Sequence, residues 1–283
     1  MTVALDLIAG SIAGAAQVIV GQPLDTIKTR AQIAPKGMFK GNWDIFIQTV
    51  RKEGIFALYK GMLSPLLGIA GVNSLLFASY AVSKRIVSPF PEKSLKEIAL
   101  AGGMAGAANA ILASPVEMFK VRMQGQYGAA GDQRLRAVFA EVAKDGLRRG
   151  VMRGYWVTVA REIPAYAAFY AGFEYQKRRW LATHPNQSIP VYALVGSGSF
   201  GGICYWLACY PLDVIKSRVQ LAKTPPSGIN YIANEFRTIL STQGFKGLFI
   251  GLAPSLLRTI PAAGATFAMF ELSHEYLSKH TKL

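Results

Sequence analysis

Charge is what this sequence has least of: 17% of its 283 residues are Asp, Glu, Lys or Arg, while 51% are apolar. Acids are the scarcer sign, 16 against 31 bases, which leaves a formal net charge of +15. A soluble nucleic-acid-binding protein with that charge spreads its bases over polar surface or sets them among aromatics, and is rarely so apolar. With a mean hydropathy of +0.26, nucleic acid is not expected as a partner. Cysteine is nearly absent. Cys204 and Cys209 stand five apart in one apolar stretch, poor geometry for a disulfide on one helix and no match to a zinc or redox spacing, so both are read as packing. The three histidines, His184, His274 and His280, fall in a loop or near the C-terminus. With no Ser/His/acid set, HExxH, phosphate loop or dinucleotide fingerprint, neither an enzyme active site nor a metal or cofactor is expected. The basic n-region, apolar core and cleavage site of a secretory signal are also missing.

What the chain has in quantity is length without charge. Stretches nearly free of charge lie at about 4–22, 61–82, 97–115, 154–173, 190–211 and 250–270. Each is close to the roughly 20 residues that a helix needs to cross a bilayer. Six spans make an all-α membrane protein with both termini on one side. The three longer connections, 24–60, 116–153 and 212–250, hold most of the lysines and arginines. By the positive-inside tendency they face the compartment from which insertion takes its orientation, with anionic lipid headgroups nearby.

The spans come in pairs. "PLDTIKTR" at Pro23–Arg30 returns as "PVEMFKVR" at Pro115–Arg122 and as "PLDVIKSR" at Pro211–Arg218, at intervals of 92 and 96 residues. The chain is therefore a threefold repeat, divided at 1–94, 95–187 and 188–283 within one integrated transmembrane domain. Proline removes a helical hydrogen bond and bends the helix, which turns the following segment across the mouth of a bundle. Asp25 and Lys28, Glu117 and Lys120, and Asp213 and Lys216 each share about one helical face. They can pair within one helix, for about a few tenths of a kcal/mol. Alternatively each acid reaches the next helix's base and closes a ring, with Gln32, Gln124 and Gln220 one turn further on to hydrogen-bond across it. A ring of ion pairs that can break is a gate.

Small residues precede each proline: "AGSIAG" (Ala9–Gly14), "AGGMAG" (Ala101–Gly106) and "SGSFGG" (Ser197–Gly202), the last glycine always nine residues ahead. That spacing lets two transmembrane backbones approach closely. Amphipathic helices are expected at Asn42–Gly54, Gln133–Gly146 and Asn230–Gly244, each ending on the glycine that a helix C-cap favours. "YKG" at Tyr59, "MRG" at Met152 and "FIG" at Phe249 follow them, the second arriving one residue late.

Together these motifs resemble the mitochondrial carrier family over essentially the whole chain. The resemblance implies a six-helix pseudo-threefold barrel, three tandem repeats each of two transmembrane helices and a short matrix helix, working by alternating access. It implies a monomer in the mitochondrial inner membrane, multi-pass, with both termini toward the intermembrane space. Asp25, Lys28, Glu117, Lys120, Asp213 and Lys216 then form the matrix gate, and Gln32, Gln124 and Gln220 brace it. The glycine-flanked helix ends resemble cardiolipin sites, with packing turns as the alternative. A second family network, the cytoplasmic gate, corresponds to "YAVSK" (Tyr80–Lys84), "FEYQK" (Phe173–Lys177) and "FELSH" (Phe270–His274). Ala81 stands where its first acid belongs and His274 where its last base belongs. The family's pairing order joins Glu271 to Lys84 and Glu174 to His274 and leaves Lys177 without an acid. The expectation is a weak outer gate, pH-sensitive through His274.

Apart from these networks and the span ends, only Arg161, Glu162 and Arg258 are charged within the spans. Each such charge costs about 2.5–3.5 kcal/mol on insertion scales, so it faces a partner or water. Arg161 and Arg258 both stand thirteen residues before an outer-network acid and open "REIP" and "RTIP"; the equivalent place in repeat one is Gly68. Glu162 either neutralises its arginine or attracts an ammonium while the guanidinium holds a carboxylate with forked hydrogen bonds, a template for a zwitterion. The pair resembles the Arg-acid pair at the second contact point of the family's amino-acid and carnitine carriers, with Arg258 at the third. Carriers of basic amino acids place an acid near position 72, where this chain has Ile69, Val72 and Asn73. The substrate expected is therefore a small zwitterion, carnitine, acylcarnitine or a neutral amino acid. A basic amino-acid carrier, and a proton-leak carrier with Glu162 carrying the proton, are the alternatives. Tyr205 and Trp206 either pack or offer their faces to a quaternary ammonium.

Overall fold

The computed structural model describes residues 2–35, 37–90, 92–126, 135–185, 187–222 and 230–280, and among these there is no strand. The helices run in order α1 (Thr2–Ile33), α2 (Asn42–Glu53), α3 (Leu63–Val87), α4 (Leu95–Gln124), α5 (Leu135–Lys144), α6 (Tyr155–Thr183), α7 (Val191–Leu221), α8 (Tyr231–Gln243) and α9 (Leu252–His280). Each repeat is thus long, short, long. The long helices touch in the cyclic order α1, α3, α4, α6, α7, α9 and back to α1, which closes a ring of six. Among the described residues four stretches are long and apolar enough to cross a membrane: Ile55–Val87, Leu95–Gln124, Val191–Leu221 and Phe245–Lys279. The other two long helices each stand between members of that set, α1 between α9 and α3 and α6 between α4 and α7. α6 departs from the apolar pattern by carrying Arg161 and Glu162.

Small residues set how closely the helices approach. A Cβ on Gly106 would stand 2.5 Å from the carbonyl oxygen of Glu162, and one on Gly102 2.6 Å from that of Tyr166, so α4 lies directly on the α6 backbone. Gly201 places α7 against the carbonyl of Phe169 in the same way. The first copy is used less: Gly14 faces the side chains of Ile69 and Asn73, and Gly10 has nothing within 4 Å. Cys209 is buried and the Cys204 sulfur packs opposite Gly172; both are free thiols.

The short helices bury their apolar faces on the inner ends of α1, α4 and α7. Ile45 packs with Ile27 and Leu58, Val138 and Val142 with Met118, and Ile239 with Val214 and Ile215. α2 and α8 stop at Gly54 and Gly244, whose positive φ of 84° and 70° only glycine adopts freely, and each runs into a 3₁₀ turn, Ile55–Tyr59 or Phe245–Phe249. The extra residue of repeat two has a visible consequence. Between Gly146 and Gly154 the chain winds a π turn, Leu147–Val151, where the other two repeats have a 3₁₀ turn. Gln133, the expected start of the second short helix, lies outside the described residues.

Replacing Gly106 with Val overpacks the α4–α6 contact. The expected cost is about 1–3 kcal/mol, read as a lower thermal unfolding midpoint of the purified protein. Gly10→Ala, in open space within a helix, should leave the midpoint unchanged or raise it.

Candidate functional site

The three octapeptides converge at one end of the ring. Asp25 pairs with Lys120, Glu117 with Lys216, and Asp213 with Lys28 at 2.6 Å. Each acid meets the lysine of another repeat in cyclic order, not the lysine three residues on in its own helix. The burial is deep but uneven: the Asp213 side chain is 6% exposed and that of Glu117 31%.

The last base of each octapeptide, which the sequence did not single out as a site residue, forms a second tier. Arg30 donates through Nε to the carbonyl of Gln124, Arg122 to that of Gln220, and Arg218 to that of Gln32, at 3.4, 3.3 and 3.3 Å. The guanidiniums also tie down the short helices. Arg30 grips Glu53 with two bonds of 2.7 and 2.8 Å, Arg122 lies 3.3 Å from Glu141, and Arg218 bonds Gln243 at 2.7 Å and lies 3.7 Å from Glu235. The threefold recurrence of a base at the eighth place was the signal for this tier.

The three glutamines do not act alike. Gln32 donates to Asp213 at 2.9 Å and lies 3.3 Å from the Tyr210 hydroxyl. Gln124 instead exchanges hydrogen bonds with Thr29 and Thr26, at 2.8 and 3.2 Å. The Gln220 amide is buried with no partner among the described residues. The difference follows from the cyclic order: the repeat-two residues equivalent to Thr26 and Thr29 are Met118 and Val121, which offer Gln220 no hydrogen bond. The expectation that all three reach the ring is therefore corrected to Gln32 alone contacting one of its acids.

Arg161 and Arg258 belong to the same cluster. Arg161 donates to the Tyr205 hydroxyl at 2.7 Å and to Glu117 at 3.1 Å, pairs with Glu162, and lies 3.6 Å from Asp213. Both Arg161 and Glu162 are 2% exposed, and one Glu162 oxygen has no partner among the described residues. Arg258 binds Asp25 at 3.1 Å and lies across Gly21, where any Cβ would collide with its guanidinium. Reading Arg161 and Glu162 as a self-contained pair thus misses two further carboxylates and a tyrosine. No spacing within α6 shows that Glu117 of α4 and Asp213 of α7 come within reach. Ile69, Val72 and Asn73 are half-buried on α3, with Ile69 and Asn73 against Gly14 of α1.

Among the described residues, the outer pairs expected between even-numbered spans, Glu271 with Lys84 and Glu174 with His274, are not formed. Glu174 bonds Lys177 at 3.0 Å and Arg178 at 2.8 Å on its own helix, so Lys177 does have an acid. Among the described residues Lys84 and Glu271 make no ion pair; the Lys84 ammonium sits 4.8 Å over the Tyr80 ring. The His274 ring stacks on Phe270. Here α3 and α6 meet through the stacked rings of Tyr80 and Tyr170, 3.8 Å apart. Cross-helix pairing at this end needs α3, α6 and α9 to bring their acids and bases together, and in a structure closed at the other ring Glu174 takes the bases nearest to it.

A ring of six long helices from three repeats, with a closed tier of ion pairs at one end and, among the described residues, an unformed one at the other, fits a membrane transporter. The mitochondrial carrier protein family matches residues 1–90, 92–184 and 187–281, and the chain belongs to this family. It is accordingly a multi-pass protein of the mitochondrial inner membrane that transports small molecules. It is 32% identical to the mitochondrial ornithine transporter 1 of Rattus norvegicus, over 97% of this chain and 95% of the other. It is 33% identical to a mitochondrial carnitine/acylcarnitine carrier-like protein of Arabidopsis thaliana, over 96% and 98%. It is 34% identical to the mitochondrial basic amino acids transporter of Rattus norvegicus, over 97% and 90%.

Removing one partner of a buried ion pair costs about 3–5 kcal/mol, because the other charge is left uncompensated. Asp213→Asn should therefore lower the thermal unfolding midpoint in detergent clearly more than Glu117→Gln, whose site is more open to water. Equal shifts would show that the two joints of the ring are equivalent.

Proposed function

We propose that the chain exchanges a zwitterionic metabolite, carnitine, an acylcarnitine or a neutral amino acid, between the matrix and the intermembrane space. The observation that carries this reading is that Arg161 and Arg258 are both shared with ring acids, Arg161 with Glu117 and Asp213, and Arg258 with Asp25. A substrate carboxylate that takes a guanidinium releases an acid of the matrix gate, so binding and opening are one event, driven by the ligand's preference for the state that it completes. Glu162 supplies the charge for the substrate's cation. The wall of Ile69, Val72 and Asn73 adds no second acid and suits an apolar or acyl group.

Relatives that transport ornithine and basic amino acids support a second reading, a basic amino-acid carrier. That substrate brings a second cation, for which repeat one offers no carboxylate beyond the gate's own Asp25. The proton-leak reading draws on the Glu162 oxygen that has no partner among the described residues. The chain works as a monomer, with the basic connections toward the matrix and both termini toward the intermembrane space. A cardiolipin phosphate at the turns after α2 and α5 is bound by backbone N–H groups, because Lys60 is already paired with Glu53 and Arg153 with Asp145.

The test is homo-exchange in proteoliposomes of carnitine, ornithine, a neutral amino acid, malate and ADP, each with wild type and Glu162→Gln. Carnitine or neutral amino-acid exchange should fall at least about tenfold in the variant, a loss of about 1.4 kcal/mol. Ornithine exchange with the same sensitivity selects the second reading. Malate or ADP exchange indifferent to Glu162 would reject the zwitterion, and proton flux without any exchange would select the leak.

A further inference from the structure

Adjacent aromatic residues on α7 hold the two cations that meet at Asp213. Tyr205 accepts the Arg161 hydrogen bond at 2.7 Å. The Trp206 ring lies under the Lys28 ammonium, 4.1 Å from centroid to nitrogen, with Tyr210 further off at 5.8 Å. Lys28 is at the same time 2.6 Å from Asp213. Trp206 is 9% exposed, so this contact is shielded from water, the setting in which a cation over a tryptophan face is strongest.

The threefold symmetry makes the contact conspicuous. Trp206 stands five residues before Pro211; the same place before Pro23 is Val18 and before Pro115 is Ala110. Among the described residues neither Lys120 nor Lys216 lies over an aromatic ring. A tryptophan conserving only bulk would need no lysine above it, and neither of the equivalent positions is even aromatic.

We infer that Trp206 is a positioning residue of the matrix gate: its ring holds Lys28 against Asp213 and gives the joint between repeats three and one a lock that the other two joints lack. The residue acts through Lys28. Lifting Lys28 off the ring is part of opening this joint. The inference rests on the ion-pair geometry and is independent of which substrate is carried.

A double-mutant cycle read by thermal unfolding of the purified protein in detergent tests it. Trp206→Leu should lower the midpoint by several degrees, and Trp206→Phe, which keeps a weaker face, by less. In a Lys28→Gln background the effect of Trp206→Leu should shrink to half or less. Equal drops in both backgrounds would overturn the inference and leave Trp206 as packing. If the leucine variant does not fold, mono-, di- and trifluorinated tryptophan placed at position 206 by nonsense suppression preserves the shape while draining the ring's charge. A stepwise fall of the midpoint with fluorination supports the lock; an unchanged midpoint rejects it. Neither arm uses transport, so failure of the substrate assignment leaves the result readable.

Discussion

Everything at the closed end follows from one constraint: a carboxylate inside the bundle must have a cation, because little water reaches it. Asp25, Glu117 and Asp213 meet it by reaching into a neighbouring repeat. Pairing within a helix would satisfy the charges equally well on paper, but it would tie nothing together. Because each acid takes the lysine of another repeat in the same rotational sense, the three repeats are held in one register. The arginine tier repeats that sense one level further in, each Nε reaching the carbonyl of a glutamine in another repeat. The short helices are carried along, since the same guanidiniums bind Glu53, Glu141 and Glu235.

Against this symmetric frame the departures from symmetry stand out, and they concentrate on one side. Arg161, Glu162, Tyr205 and Trp206 have no counterparts of the same character in repeat one, where Gly68 leaves room for Val116 and Ile69 lies against Gly14. Symmetric contacts can open and close a ring but cannot distinguish one end of a small ligand from the other. The asymmetric residues can. Because Arg161 touches Glu117 and Asp213 while belonging to the asymmetric set, the function proposed above lets recognition and gating share an atom group with no intermediary between them.

Much of this was legible in the sequence. The six uncharged stretches, the octapeptide and the capping glycines each carry a local physical meaning, and each corresponds to an element. Even the late glycine of repeat two shows as a π turn in place of a 3₁₀ turn. What escaped is what depends on another helix. Nothing within α6 reports that Arg161 meets acids from α4 and α7, and nothing within α7 distinguishes Gln220, for which repeat two has Met118 and Val121 at the equivalent places, from Gln124, which bonds two threonines. The outer pairs escaped for a different reason. Their residues were named, but whether Glu174 finds a base on another helix or on its own depends on which end of the ring is closed.

Charge conservation within the cluster bears on what can enter it. Arg161 and Glu162 compensate each other. A simple anion that takes the guanidinium leaves Glu162 buried and alone; a simple cation that takes Glu162 returns Arg161 entirely to Glu117 and Asp213, which tightens the ring. A zwitterion does neither. Its carboxylate and cation replace the two halves of the internal pair at once, so no charge is stranded and the guanidinium turns away from the ring acids. A dibasic amino acid can make the same exchange but brings one cation more, which only a ring acid can match. Such a ligand would hold open the joint that donated the acid. The distinction between the two readings of this site is therefore a distinction between a ligand that borrows the internal pair and one that also recruits the gate.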